Sequence, residues 1–251
     1  VGLVELDRVR VVRADGGDGE LVASISGTAR AIAVTSTGQH AIVVVQDPSG
    51  VEALRVFARR EDSAPIAQLP LPGDTDSKHF ITASADRLAL ASADQPLRLF
   101  ELPSLAEVPC GPGVAQPASC VQFSPNGALL AVGRPDGHVL VLRRDGGVLA
   151  VIATHRGEVR ALAWSADGAR LFAAGADGFV RLLHPERGTE LLNLGDNSIP
   201  GQPGVRAFDG LPCCLFATPD GERLFCGYTD GAVRVWDTVP WLARVARRQQ
   251  A

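Results

Sequence analysis

Histidine and cysteine are among the residues of this 251-residue sequence that could carry acid–base, nucleophilic or metal chemistry. The five histidines are far apart, and none stands at a metal-ligand spacing from another. The sequence also lacks the motifs GxSxG, GxxxxGK[ST], HExxH, and GxGxxG after a strand. Those motifs mark nucleophile elbows, phosphate-binding loops, zinc proteases and dinucleotide sites. We therefore expect no catalytic residues, no metal and no cofactor.

The five cysteines are odd in number and include no CxxC pair. Cys213 and Cys214 are adjacent, so a regular strand would point their side chains to opposite faces. This pattern argues against a disulfide framework and indicates a reducing, cytoplasmic location. A zinc site on Cys213, Cys214 and Cys226 has little support from ligand spacing. We interpret the cysteines as small buried core residues.

Composition excludes several classes of protein. The chain is 46% hydrophobic, which is enough apolar surface to build a core, so disorder is excluded. No apolar run approaches the roughly 18 residues that a membrane helix needs. The formal net charge of −4 gives no general attraction to nucleic acid or to anionic membranes. Because the sequence contains no methionine, we expect it to be a portion of a longer protein.

Internal repeats reveal the elements that position these residues. Three segments align without gaps, and each is predicted to form a strand, a turn ending in Gly, a second strand, an Asp-Gly turn and a third strand. They are residues 120–142, 161–183 and 214–236. Two weaker copies lie at residues 31–57 and 80–100. A fourth apolar strand follows most copies, so each repeat is a unit of four short strands.

A period of about 40–45 residues with four strands is typical of propeller blades. The sequence resembles the WD-repeat β-propeller family in three features: VWD at residues 235–237, the SPNG and TPDG turns at residues 124–127 and 218–221, and the recurrent Asp-Gly turns. The predicted fold class is therefore all-β, a single propeller of four-stranded antiparallel blades. The repeats indicate six blades, or seven if sequence is missing upstream.

The repeats predict where each blade lies. Residues 1–27 form a partial blade of three strands that lacks its first strand. Residues 195–210, rich in Gly and Pro, form an inserted loop. Residues 240–248 suit either the outer strand of the last blade or a short helix. The five full blades are predicted at residues 28–69, 76–108, 117–153, 157–194 and 211–248.

The resemblance also implies structural residues. Blades of the family join a His before the first strand, a Ser or Thr on the second, an Asp in the second turn and a Trp on the third. No copy here has all four, so we expect irregular blades held mainly by apolar packing. One copy retains His155 and Asp177, which are expected to hydrogen-bond, and the last retains Asp230 and Trp236. Asp136 occupies the same turn position in a third copy.

Partners of this family often bind the face formed by the loops that enter the first strand and by the second turn. The repeat positions expected on that face include four basic residues and one tyrosine: Arg30, Lys78, Arg134, Arg160 and Tyr228. Arginine and lysine there would suit carboxylate or phosphate groups, and the tyrosine would serve as an aromatic anchor. In the alternative interpretation, the arginines pair with the neighbouring turn aspartates.

The sequence thus predicts a non-catalytic, cytoplasmic scaffold for protein–protein interaction, as part of a larger signalling, sensor or assembly protein. The expected partner is a protein or peptide, acidic or phosphorylated, and neither nucleic acid nor a membrane. The alternative is a propeller enzyme or small-molecule binder that uses the central channel. That alternative would require converging acids, histidines or a metal.

Overall fold

Every described secondary-structure element of the chain is a β-strand, and the described residues contain no helix that could cross a membrane. The structure is a computed structural model. It describes residues 2–5, 8–11, 20–58, 64–71, 78–92, 94–111, 114, 116–194, 198–199, 202–206 and 210–238. The predicted outer strand or helix at residues 240–248 lies outside these ranges.

The chain divides into two compact units. The first holds residues 1–130 and 143–147, and the second holds residues 131–142 and 148–251. The first sheet of the first unit has three antiparallel strands: β1 (Gly2–Glu5), β2 (Arg8–Val11) and β3 (Glu20–Ser24). The second has four: β4 (Thr28–Val34), β5 (His40–Gln46), β6 (Glu52–Ala58) and β7 (Ala67–Pro70). The third also has four: β8 (His79–Ala83), β9 (Arg87–Ser92), β10 (Arg98–Glu101) and β11 (Glu107–Val108).

The remaining sheets follow in chain order. The fourth, whose strands are divided between the units, contains β12 (Cys120–Phe123), β13 (Leu129–Gly133), β14 (His138–Arg143) and β15 (Val148–Ala153). The second unit adds a sheet of β16 (Val159–Trp164), β17 (Leu171–Gly175), β18 (Val180–His184) and β19 (Thr189–Asn193). The last sheet has three strands within the described residues: β22 (Pro212–Ala217), β23 (Arg223–Tyr228) and β24 (Val233–Asp237).

Residues 195–210, predicted as a loop, contain a two-stranded ribbon. Its strands are β20 (Ser198–Ile199) and β21 (Gln202–Arg206), with Ser198 opposite Arg206 and Ile199 opposite Gln202. The segment predicted as an inserted loop therefore includes a short hairpin. Gly and Pro are common both in loops and in the turns of short hairpins. Composition alone therefore does not distinguish a loop from a hairpin.

Burial within the sheets follows strand position. The second strands β5, β9, β13 and β17 are almost wholly buried, whereas every residue of β19, a fourth strand, is exposed. Second strands have a hydrogen-bonded neighbour on each side and side chains packed on both faces, so they are continuous runs of Val, Ile, Leu and Ala. The third strands also contribute fully buried side chains, such as Phe57, Leu140 and Leu183, so the core lies on the second and third strands.

First strands of successive sheets pack against one another. In the first unit β1 contacts β4, β4 contacts β8, and β8 contacts β12. In the second unit β16 contacts β22. Successive antiparallel sheets joined in this way are propeller blades, so the predicted all-β fold class is confirmed.

The N-terminal sheet corrects one detail of the sequence interpretation. Because β1 contacts β4 as the other first strands contact each other, β1 takes the place of a first strand. The partial blade therefore contains its first three strands, and the prediction that it lacks its first strand is wrong. The sequences of three short alternating segments do not show which strand of a blade each one forms, so the position of the missing strand could not be predicted.

Candidate functional site

Arg30 and Lys78 lie at the starts of neighbouring first strands in the first unit, and both are exposed. Arg30 Nη2 donates a hydrogen bond to Gln46 Oε1 at 2.8 Å, and its Nε lies 3.6 Å from Glu52 Oε1. Arg30 is therefore paired within the chain, as in the alternative interpretation, although its acidic partner is a glutamate and not a turn aspartate. Lys78 immediately precedes β8.

Glu52 and His79 form a buried pair that sequence reasoning missed. His79 Nε2 lies 2.6 Å from Glu52 Oε2, and both side chains are buried. The two residues are 27 positions apart, at the starts of β6 and β8, and no motif connects them. With Arg30 they form a chain of charged and polar groups that ties three strands together. Glutamate is seldom buried without such partners.

The chemistry open to this pair is limited. A small cleft beside it is lined by His79, Ser92 and Arg98, among other residues. Ser92 is opposite His79 in the β8–β9 register. However, His79 Nδ1 is buried and makes no hydrogen bond within the described part of the chain. The histidine therefore does not engage the serine hydroxyl as a base, and the arrangement is that of a structural hydrogen-bonded pair.

Arg134 and Tyr228 are not surface residues. Arg134 is 8% exposed and Tyr228 is 4% exposed, the latter in a core cluster with Leu224 and Cys226. Burial raises the pKa of Tyr228 to about 12. The prediction that both residues are exposed contacts is therefore wrong. Tyr228 is the last residue of the second strand β23, and Arg134 directly follows the second strand β13.

Arg160, at the start of β16, is intermediate in exposure. Its Nε lies 3.4 Å from Glu158 Oε2. The backbone N–H of Val159 donates to the carbonyl of Arg134 at 2.9 Å, so Arg134 and Arg160 are close within the second unit. Of the five residues predicted to contact a partner, Arg30 and Lys78 keep the exposure that this role requires.

His155 and Asp177 make the predicted contact. The His155 imidazole is fully buried, and its Nδ1 lies 2.9 Å from Asp177 Oδ1. Asp177 Oδ2 accepts hydrogen bonds from Arg181 Nη1 at 2.8 Å and from the backbone N–H of Arg156 at 3.1 Å. The Arg181 guanidinium also contacts His155 Nδ1. One carboxylate therefore holds two side chains and the loop before β16.

The same network fixes the ionisation of Asp177. Burial on its own would raise the pKa of this carboxyl, but hydrogen bonds from His155, Arg181 and the Arg156 N–H outweigh it. They hold the pKa of Asp177 well below its ordinary value of 3.8. Gly175 is part of the arrangement, because a Cβ there would stand 2.3 Å from His155 Nδ1.

The other predicted structural residues stabilise turns and sheet packing. Asp136 Oδ1 accepts the backbone N–H of His138 at 3.0 Å. Asp230 accepts the backbone N–H of Ala232 at 3.0 Å and that of Gly210 at 3.2 Å. Trp236 Nε1 donates to the carbonyl of Leu194 at 2.8 Å, which ties the last sheet to the residue after β19.

One face of the last sheet is apolar and exposed, and we call Phe216, Phe225, Val233 and Val235 its apolar face. Phe216, Val233 and Val235 are 58%, 64% and 50% exposed. Phe216 is opposite Phe225, which is opposite Val235, so these side chains form one row across three strands. The sequence alternation predicted the two faces of β24 but did not show which face would be covered.

The exposed cysteines also differ from expectation. Cys213 and Cys214 are exposed, Cys226 is buried, and all three are free thiols. The interpretation as buried core residues holds for Cys226 and is wrong for the adjacent pair. The pair lies at a register shift at the start of β22, which strand periodicity does not predict.

Successive antiparallel blades with Asp-Gly turns define a propeller-type repeat protein. The sequence matches the family described as the anaphase-promoting complex subunit 4 WD40 domain over residues 121–199, and the WD domain, G-beta repeat, over residues 205–237. The WD-repeat resemblance that the motifs predicted is therefore confirmed over these two segments.

Solved structures agree on the fold. Among 1628 matching chains is the crystal structure of the computationally designed Ika4 protein, with a TM-score of 0.54 and 19% sequence identity. The match covers 67% of this chain and 96% of the designed one. At this identity the similarity shows the fold alone. No curated protein sequence matches the chain.

Proposed function

We propose that this chain is a non-catalytic platform that binds a protein or peptide partner through the apolar face of its last sheet. WD-repeat domains generally act as scaffolds for protein–protein interaction, and they are typically non-catalytic. The observation that carries the proposal is the exposure of three large apolar side chains, Phe216, Val233 and Val235, on one sheet. Contiguous exposed apolar surface marks interaction sites on soluble proteins.

The geometry of the apolar face suits a contact of this kind. The rings of Phe216 and Phe225 are 6.4 Å apart between centroids and tilted by 44°. Phe225 is partly covered, so Phe216 projects from a fixed base. Aromatic residues on a rigid backbone make strong contacts, because little side-chain entropy is lost on binding. Val233 and Val235 extend the same surface along β24.

We expect the double variant Val233→Glu, Val235→Glu to weaken partner binding more than tenfold, or by about 1.4 kcal/mol. Two carboxylates would have to be desolvated at the contact. Thermal stability should change little, because exposed substitutions usually alter stability by within about 0.5 kcal/mol. The partner is first identified by cross-linking to Phe216-proximal positions, and affinity is then measured with the purified partner.

The matched control is Val151→Glu, because Val151 is an apolar residue of β15 that is 55% exposed. It should bind like the unchanged protein. Equal weakening in the control and the double variant would attribute the effect to charge in general, and unchanged binding in the double variant would refute the proposal.

We further propose that an acidic or phosphorylated segment of a partner is recognised by the first unit. Exposed Arg30 and Lys78, at the starts of neighbouring first strands, support this proposal. Arg30 is held by Gln46 and Glu52, which orients its guanidinium before binding.

Reversing both charges, Arg30→Glu with Lys78→Glu, should weaken binding of an acidic peptide about tenfold and flatten its salt dependence. The control is Arg143→Glu with Arg156→Glu, which makes the same charge change at two other exposed residues. The assay is peptide titration at low and moderate salt. If both double variants lose affinity equally, the net charge of the chain and not this pair governs binding.

Two features support a setting for this function. The match to the WD40 domain of an assembly subunit supports a role within a larger multi-protein assembly. The free state of the described cysteines supports a reducing compartment, for which we propose the cytoplasm.

A further inference from the structure

The adjacent thiols of Cys213 and Cys214 lie at an irregularity of β22. The register of β22 against β23 shifts between Pro212 and Cys214, so that Pro212 is opposite Tyr228 and Cys214 is opposite Gly227. Cys213 is thus the extra residue of a bulge. A regular strand sends neighbouring side chains to opposite faces, whereas a bulge re-aims one of them.

Both sulfur atoms converge on Gly227. Cys213 Sγ donates a hydrogen bond to the Gly227 carbonyl at 3.3 Å. A Cβ built on Gly227 would stand 2.7 Å from Cys214 Sγ and 3.8 Å from Cys213 Sγ. The missing side chain of Gly227 therefore leaves a space that both thiols border.

We propose that Cys213 and Cys214 form a two-thiolate binding site for a soft monovalent cation of the Cu(I) class. Thiolates select soft cations, and Cu(I) is the first-row ion most suited to sulfur ligands alone. Structural zinc needs four ligands. Within the described residues there is no group of three or more His, Cys, Asp or Glu that could hold a metal. The pair thus supplies the two ligands of a two-coordinate site and revises the sequence-based expectation of no metal.

A disulfide between the two residues fits the geometry less well. Consecutive Cα atoms are about 3.8 Å apart across a trans peptide, whereas disulfides usually join Cα atoms about 4.4–6.8 Å apart. Closing an S–S bond of about 2.05 Å here would strain the backbone. A cation between the sulfurs leaves them farther apart than a covalent bond does, so the strand keeps its conformation.

Metal binding changes the protonation of the pair. Binding replaces two S–H protons by one cation, which releases two protons and leaves a bis-thiolate complex of net charge −1.

The test is a competition titration of the fully reduced chain with Cu(I), under anaerobic conditions, against the chromophoric chelator bicinchoninate. We expect one Cu(I) per chain at this site. Cys213→Ser and Cys214→Ser should each weaken binding more than about 100-fold, because loss of even an outer-sphere group often weakens binding about 10–100-fold. Cys226→Ser should bind like the unchanged chain, since the Cys226 side chain is buried.

A second variant separates ligand geometry from thiol number. Gly227→Ala keeps all five cysteines but places a methyl group 2.7 Å from Cys214 Sγ, so the thiol must move and binding should also weaken. Should the serine variants fail to fold, alkylation of the two exposed thiols in the folded chain replaces them.

Three results would overturn the proposal. An equal loss of Cu(I) affinity in Cys226→Ser would show that the metal is bound by other cysteines. Unchanged affinity in both serine variants would show binding elsewhere. Formation of a Cys213–Cys214 disulfide with glutathione disulfide, without Cu(I) binding by the reduced chain, would assign the pair to redox chemistry.

Discussion

Replacing Gly137 by alanine is expected to lower the free energy of unfolding by about 3 kcal/mol, and the same change at Gly231 by about 1 kcal/mol. Both glycines follow the aspartate of a second turn, and their φ angles are 90° and 85°. Alanine is strained at either position by about the same amount, because an L residue seldom adopts a positive φ. The difference in unfolding free energy between the two variants therefore measures the steric cost of the added methyl group at Gly137.

That packing is specific to Gly137. A Cβ at this position would stand 2.1 Å from the carbonyl oxygen of His155 and 2.9 Å from that of Gly157. At Gly231 nothing lies within 4 Å of the added atom. The contacting atoms at Gly137 are backbone, so they yield only if the segment before β16 moves. That segment is held by hydrogen bonds from the N–H groups of Thr154 and His155 to the Gly137 carbonyl.

Urea unfolding of the two variants and the unchanged chain measures the effect. Equal destabilisation at Gly137 and Gly231 would show that the turn is not packed against the segment before β16. A loss of the cooperative transition in Gly137→Ala alone would agree with the prediction and set a lower limit on its size.

Asp177→Ala is expected to destabilise the protein by about 3–4 kcal/mol. The change removes the acceptor of Arg181 and leaves the buried His155 without its carboxylate partner. Asp136→Ala is the control, because Asp136 occupies the same turn position but is exposed and should cost about 1 kcal/mol.

A double-mutant cycle tests the contact itself. Because His155→Ala removes the same contact, the double variant with Asp177→Ala should cost less than the sum of the single changes. Strict additivity in denaturant melts would show that the two side chains do not interact in solution.

The pH dependence follows from the lowered pKa of Asp177. A carboxyl whose pKa is depressed on folding stabilises the native state above its unfolded pKa, and this contribution is lost as the pH falls through the folded pKa. The stabilisation by ionised Asp177 should therefore be complete above pH 3.8 and should decline as the pH falls below that value. The difference in stability between the unchanged chain and Asp177→Ala should narrow over the same range.

Much of the fold follows from local sequence. The Asp-Gly turns at Gly137 and Gly231 occur where positive φ angles are required, and the apolar runs between such turns are the strands of successive blades. Strand identity and blade succession are therefore encoded by short-range patterns. The contact of His155 with Asp177 was predicted by the resemblance to WD-repeat blades, which join a His and an Asp at these two positions.

The candidate sites were less predictable because they depend on burial and on contacts between distant residues. Tyr228 and Arg134 were placed correctly in the repeat, but the end of a second strand is buried, which the alignment does not reveal. The Glu52–His79 pair joins strands of different sheets. The bulge that brings Cys213 and Cys214 together inserts one residue into the register, and period-two alternation breaks at such a point.

The gradient of burial across each blade has an evolutionary consequence. The copies that align without gaps contain three strands, and their similarity ends before the fourth, where β19 is wholly exposed. After a duplication, substitutions in a buried strand must keep the size and packing of its side chains. Substitutions in an exposed strand are not constrained in this way. A fourth strand is therefore where daughter blades diverge soonest, and where a lineage acquires new surfaces without rebuilding the interior.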